Sequence, residues 1–560
     1  MTRTPENLAI ARLLGWTALL ATVMVMPWAA YEPINVPKLA VISIGGFMAL
    51  GALLANRAEF MKKQYRLVLI FGAAFVIDLT VVLVVSGTNF YQEFFGTFGR
   101  ATGYVAYVAL ASLFMVAAVT ASSFALRRFM WSLLAAGLIS IAYGVLQSLK
   151  LDPIGWVNQY TPVIGFLGNP NFQSSFVGFS GVMAFAVLIS KDLAPLMRGG
   201  YFAYLVSAAY VIKATTSQQG FLVLMGGIGV VLFIWISKSR YKLLTIPSLV
   251  AGFVGVVVVT LGSLNTGPLA SVLYKASVTY RGDYWRAGWK MTLEHPLFGV
   301  GLDSYGDWYR RARTVEATLR RGPDIVSNAA HNVLLDLSSN GGFPLLIIYL
   351  FMMFLVMAAA IKVVKRSAGF DPVFAGLVAV WIAYQAQSII SLNQLGLAVW
   401  GWIISGLIIG YEINTREIEV VQKQGAKGKS ASAMAAQKVM PITAVGMFVG
   451  FIVGIALGIP PVNATSKFKS GLETGDANVV QNIASNWPQD ATRSAQIAIL
   501  LNDNKLPAQA LGVIEKAKLQ FPDSYDLWRA LASLSNASAA DLEEANTQMK
   551  RLDPHNPDLK

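Results

Sequence analysis

The chain has 560 residues, 55% of them hydrophobic and only 13% charged, with a mean hydropathy of +0.55. Soluble domains carry about a quarter charged residues, so lipid is the main solvent of this chain. Lacking cysteine, it has no disulfide, thiolate nucleophile or Cys-ligated metal, and its formal charge of +14 points to cytoplasmic membrane loops before nucleic acid.

A membrane span needs about 20 mostly apolar residues. That ruler predicts thirteen transmembrane helices, near 8–30, 37–55, 66–86, 101–120, 129–149, 171–190, 200–214, 219–236, 243–262, 343–363, 372–392, 395–411 and 439–459. The first is too long for a cleavable signal and has no small-residue cleavage site. Basic residues gather in alternate connections: Arg57, Lys62, Lys63 and Arg66; Arg127 and Arg128; Lys238, Arg240 and Lys242; Lys362, Lys365 and Arg366; Lys423, Lys427, Lys429 and Lys438. All five groups fall on the side of the N-terminus. That side is therefore cytoplasmic, and an odd number of spans puts the C-terminus outside.

The map leaves two long extracytoplasmic pieces. One is the loop of about 80 residues between Gly262 and Gly342, too long for a plain connector. The other is the tail after Pro460. The stretch 412–438, rich in Gly, Ala, Ser and Lys, reads as a flexible cytoplasmic linker. In the tail, "PAQALGVIEKAKLQFPDSYDLWRALASL" and "DLEEANTQMKRLDPHNPD" read as helical hairpins broken by Pro-marked turns. Two such units resemble tetratricopeptide repeats with an incomplete 34-residue pattern. They form either a helical cap on the bundle or a platform for a glycan or a protein partner. The expected architecture is an all-α integral membrane protein. A polytopic helical bundle with about 13 transmembrane helices has its core at 1–411, the linker at 412–438 and a last span at 439–459. A small α-helical extracytoplasmic domain follows at 460–560.

Charged groups near membrane depth are functional suspects. Arg100, in "FFGTFGRATGY", sits at the outer end of a span, where it either snorkels to the headgroups or serves a site. Gly96, Gly99 and Gly103 around it allow the backbone to approach something bulky. In the large loop, "TYRGDYWRAGWKMTLEHPLFGVGLDSYGDWY" sets Arg281, Trp285 and Gly288 on one helical face. Arg281 is embedded among aromatics, and its guanidinium offers a planar fork of donors suited to phosphate oxygens. Arg310, Arg311, Arg313, Arg320 and Arg321 read instead as a solvated or headgroup-facing run. Of the three histidines, His555 and His295 sit in turns. His331, in "SNAAHNVLLDLSSNGGFPLL", stands just before a span at the outer surface. There it is either a hydrogen-bonded structural group or a general base, since imidazole titrates near neutral pH. No Walker loop, HExxH, DxD or Gly-x-Ser-x-Gly elbow is present. Asp78 is the clear carboxylate within a span, fewer than an ion-coupled transporter would carry.

Five segments, "FGTFGRATGY", "GFLGNPNFQSSF", "RGDYWRAG", "HPLFGVGLDSY" and "AHNVLLDLSSNGGFPLL", resemble in kind and order the O-antigen ligase and O-antigen polymerase superfamily, which includes bacterial protein O-oligosaccharyltransferases. The resemblance covers roughly residues 65–410. It implies a metal-independent, cofactor-free, inverting glycosyltransferase of the membrane-embedded class in the bacterial plasma membrane. Such an enzyme passes a glycan from a polyprenyl-diphosphate carrier to a hydroxyl on a glycan, a lipid-linked sugar or a protein. By the same resemblance Arg281 binds the diphosphate, Arg100 is a second arginine of the site, and His331 deprotonates the acceptor. Trp285, Asn169 and Asn332 are further candidates to bind or orient sugar or base. Many relatives have Ser-Arg-Gly where this chain reads "TTSQQGFL". Gln218 or Gln219 stands in place of that arginine, with Lys213 and Arg286 as candidate substitutes for its charge. Two other classes stay open: a carrier for lipid-linked sugars, and a non-catalytic assembly factor recruiting partners through its repeats.

Overall fold

The structure, a computed structural model, describes residues 5–57, 61–156, 163–423 and 441–559. The chain is an all-α polytopic membrane protein, with no strand among the described residues. In chain order the helices are α1 (Pro5–Val23), α2 (Asn35–Ala55), α3 (Arg66–Val85), α4 (Phe90–Phe95), α5 (Tyr104–Thr120), α6 (Ser123–Ser148), α7 (Pro170–Leu188) and α8 (Pro195–Ala214). They continue with α9 (Gln218–Ser237), α10 (Thr245–Ser263), α11 (Ala270–Leu273), α12 (Ala276–Glu294), α13 (Tyr305–Ala312), α14 (Val315–Arg321), α15 (Val333–Arg366), α16 (Pro372–Ser388) and α17 (Leu395–Lys423). The last six are α18 (Pro441–Thr474), α19 (Ala477–Ile483), α20 (Ala491–Asp503), α21 (Pro507–Gln520), α22 (Tyr525–Ser533) and α23 (Ala539–Leu552). Among the described residues, nine helices are long and apolar enough to cross a membrane. Helices also form at the other predicted segments, two of them as shorter apolar helices at Asn7–Val23 and Tyr104–Thr120.

Three boundaries differ from the sequence expectation, each for a physical reason. The first span ends at Val23 rather than near 30, ahead of Pro27. Lys38 of α2 donates to the carbonyls of Thr22 and Met24 at 3.1 and 2.8 Å, and so closes the helix end with a cation. The span expected at 343–363 is the second limb of α15. Asn332 caps the first limb, and Gly342 (φ 76°) breaks the helix ahead of Pro344. A Cβ at Gly342 would stand 2.5 Å from the Leu297 carbonyl, so the kink needs glycine. The last span does not stop at 459. α18 runs through Pro460 and Pro461 to Thr474, because Val462, Ala464 and Phe468 are buried and hold it in register beyond the prolines.

Helix α18 lies along α2 through Gly446, Gly450, Gly454 and Gly458. Each of them meets the α2 backbone between Ala40 and Gly51 so closely that a Cβ would collide. Small residues at four-residue spacing are how membrane helices gain dispersion contact without a hydrophobic force between them. Of the 412–438 stretch expected as a linker, 412–423 belongs to α17, where Glu412 pairs with Arg366 at 3.5 Å. Residues 424–438 lie outside the described residues.

After α18 come two helix pairs, α20 with α21 and α22 with α23, their first helices starting 34 residues apart. They enclose a core of their own, including Ile497, Leu501, Ile514, Leu527 and Leu552. The pairs dock on the large loop. Asp553 accepts from Arg313 at 2.6 Å and Arg310 at 3.1 Å, all three side chains at most 6% exposed.

Candidate active site

Residues 281, 284 and 288 share a face of α12 by helical spacing, and this face meets the start of α15. The Tyr284 ring stacks on the His331 imidazole, with centroids 5.5 Å apart and planes at 29°. Behind Tyr284, the Tyr305 hydroxyl donates to its carbonyl at 2.7 Å and Tyr309 meets its ring edge-on at 5.6 Å. Gly288 lets the buried Tyr305 ring approach α12. The structure therefore brings His331 and the Arg281 segment together, although fifty residues of sequence separate them.

His331 has φ 52°, a left-handed conformation that a non-glycine residue adopts only when its surroundings impose it. They do so from both sides. The Ala330 N–H donates to Asp336 Oδ1 at 2.7 Å, and Asn332 Oδ1 accepts the N–H groups of Leu334 and Leu335 at 3.0 and 3.2 Å. Burial, then the positive charges of Arg281, Arg100 and Arg321, push the imidazole pKa down to about 3. The ring is therefore uncharged at neutral pH.

The arginines divide by what neutralises them. Arg100 is buried, with its Nε 3.3 Å from Asp303 and a terminal nitrogen 4.0 Å from Asp336, and it donates to the Asn328 carbonyl. Two carboxylates thus compensate the charge of Arg100, the second arginine expected in the site, and its bond to the Asn328 carbonyl ties down the 328–331 turn. Asp303 is itself held by the Thr97 N–H at 2.8 Å and the Thr102 hydroxyl at 2.9 Å. Gly96 and Gly103 let the backbone of this turn fold onto itself rather than onto a ligand. Arg286 is 62% exposed and shares the Asp283 carboxylate, at 2.5 Å, with Arg320.

Arg281 has no ion pair among the described residues, and burial lowers its pKa. Arg321 likewise has no acidic partner among them. Its guanidinium lies 4.3 Å over the Tyr280 ring and donates to the Tyr284 hydroxyl. Sequence reading missed Arg321 by grouping it with a solvated run. Within that run Arg320 pairs with Asp283 at 2.5 Å, while Arg310, Arg311 and Arg313 reach tail carboxylates. Only the folded positions of Asp283, Asp523 and Asp553 separate Arg321 from its neighbours, and no local pattern carries them. Two guanidinium groups without acidic partners among the described residues stand near one neutral imidazole, an arrangement chemically able to hold an anion beside a proton acceptor.

The remaining candidates are dispersed. Asn169 caps α7, accepting from the Asn171 N–H, and the Asn332 oxygen caps α15, so neither oxygen reaches His331. Gln218 donates to the Val272 carbonyl. Gln219 is buried, and both its amide atoms lack partners among the described residues. Trp285 packs beside the tyrosine cluster with its indole N–H unpartnered among those residues. Lys213 lies exposed on α8.

Residues 203–350 match the family model described as O-antigen ligase. The match runs from α8 through the large loop into α15 and includes Arg281, Arg321 and His331, but not Arg100. No curated protein matches the chain.

Proposed function

We propose, on the match of residues 203–350 to the O-antigen ligase family model, that the chain transfers a glycan from a polyprenyl-diphosphate carrier to a hydroxyl acceptor at the outer face of the plasma membrane. The observation that carries the reading is the corner where Arg281 and Arg321, without acidic partners among the described residues, flank His331. His331 takes the acceptor proton as the acceptor oxygen bonds to the anomeric carbon. The bond from that carbon to the diphosphate breaks, and the polyprenyl diphosphate leaves. Charge grows on the diphosphate oxygens as that bond stretches, and fixed guanidinium groups meet it without reorganising. Arg100 acts through the backbone as a positioning residue. Arg321 supplies the second charge, in place of the arginine absent at Gln218 and Gln219. The 34-residue offset of the tail's helix pairs supports a tetratricopeptide-type reading of that domain.

The test uses membranes containing the full chain and its lipid-linked donor. His331→Ala is expected to lower transfer by about 10²–10⁴-fold, and Arg281→Ala or Arg321→Ala by about 10²-fold or more, with protein levels unchanged. Full product from both His331→Ala and Arg281→Ala overturns the reading. A donor that instead fails to reach the outer leaflet in these variants identifies a carrier.

A further inference from the structure

A cavity of about 330 Å³ lies where the tail meets the core, apart from His331 and Arg281. Its floor is the turn around Gly96–Ala101 with the 326–328 segment, and its roof is 488–493 with 521–526 of the tail. The same Asn328 whose carbonyl accepts from Arg100 lines it. A three-residue run, 328–330, thus separates the cavity from His331.

Its chemistry differs from that of the arginine corner. Tyr91 and Phe98 present aromatic surface, while the Tyr525 ring is covered by Arg310 at 3.9 Å. The wall holds Arg310 and Arg493 together with three carboxylates, Asp307, Asp490 and Asp526, and Arg493 donates to the carbonyls of Asn486 and Pro488 at 2.7 Å each. No excess positive charge is left for a diphosphate. Polar groups remain instead. Arg493 is 3% exposed with its Nε unpartnered among the described residues, and the buried Oε1 of Gln489 is unpartnered there as well. Asp307 is oriented by Gln92, which donates to it at 2.6 Å. Buried polar atoms without partners call for a ligand or water, and a pocket joining aromatic faces to a few fixed polar groups is a small-molecule site by construction. Sugars present C–H faces to rings and hydroxyls that both donate and accept.

We propose that this cavity is a glycan-binding cleft, formed jointly by tail and core, which holds a hydroxyl-rich oligosaccharide segment beside the reacting site. The choice of ligand rests on the glycan-transfer reading; the site itself rests on the cavity and its unpartnered polar atoms. A glycan held here positions its reducing or non-reducing end toward the 328–331 turn, and the tail becomes part of substrate recognition rather than an external cap.

The test is calorimetric titration of the full-length protein in detergent with short, lipid-free oligosaccharides cut from the surface polysaccharide of the producing cells. Wild type and His331→Ala are expected to bind alike. Tyr91→Ala and Gln489→Ala each weaken binding about tenfold, and Tyr91→Phe keeps it. Unchanged binding in both alanine variants at wild-type melting temperature, or no binding by wild type, overturns the cleft and leaves the transfer reading to its own test. If His331→Ala and Arg281→Ala both keep making full product while the cleft variants lose binding, the transfer reading falls and the cleft stands.

Discussion

An imidazole whose pKa sits near 3 is a weak base, and what lowers it is burial first and three guanidinium charges second. A bound diphosphate places negative charge against Arg281 and Arg321, which favours the imidazolium and moves the pKa back up. The donor therefore arms the base. The sign follows for the pH profile. The neutral ring accepts the proton, and in the free protein it stays neutral down to the region of its depressed pKa. Plotted as kcat/KM, which reports the free enzyme, the acid limb should lie far below the ordinary 6.5 of histidine. Plotted as kcat, which reports the bound complex, it should lie at higher pH. Coincident limbs at 6.5 would remove His331 as the base in this environment. Asn332 belongs to the same scale: its side chain holds the helix end on which His331 depends, a role its position after His331 does not announce.

Element by element, the helices were legible and their joints were not. Apolar length alone located every long helix of the bundle, α5 included at only 17 residues. Hydropathy is blind to what happens at Gly342, where one glycine and Pro344 split α15 into a limb carrying the His331 turn and a limb of membrane length. It is blind as well to α18, where tertiary packing carries the helix past two prolines that read as a stop. Gly342→Ala sets a side chain against the Leu297 carbonyl at a positive φ. The expected cost is about 1–3 kcal/mol, seen as a lower melting temperature together with reduced transfer, since the limb it misplaces begins at Val333, two residues after His331. Gly450→Val wedges α18 from α2. Proteolysis of intact membranes should then cut the tail faster than in wild type, while the core fragment stays whole. A tail of unchanged resistance would mean that the glycine column does not position it.

Across the whole molecule, three distant stretches converge on one face: the turn at 96–102, the large loop and the tail. Sequence order hid this convergence, because Arg310 and Arg313 read as surface charge until Asp553 is brought against them. Removing one partner of a buried ion cluster leaves the others uncompensated, which costs about 3–5 kcal/mol. Asp553→Ala should therefore loosen the tail from the loop, with faster proteolysis between α18 and α20 and weaker glycan binding. The Arg281 and His331 corner would stay assembled, since its own hydrogen bonds do not involve Asp553. The clamp also sets an order in time. Arg313 precedes Asp553 by 240 residues, so on the ribosome both arginines emerge and wait for their carboxylate while ten more helices, α14 to α23, are made. A nascent chain thus has its transfer corner before it has a finished cleft, and it acquires the means to grip a polymer only once Asp553 has been made.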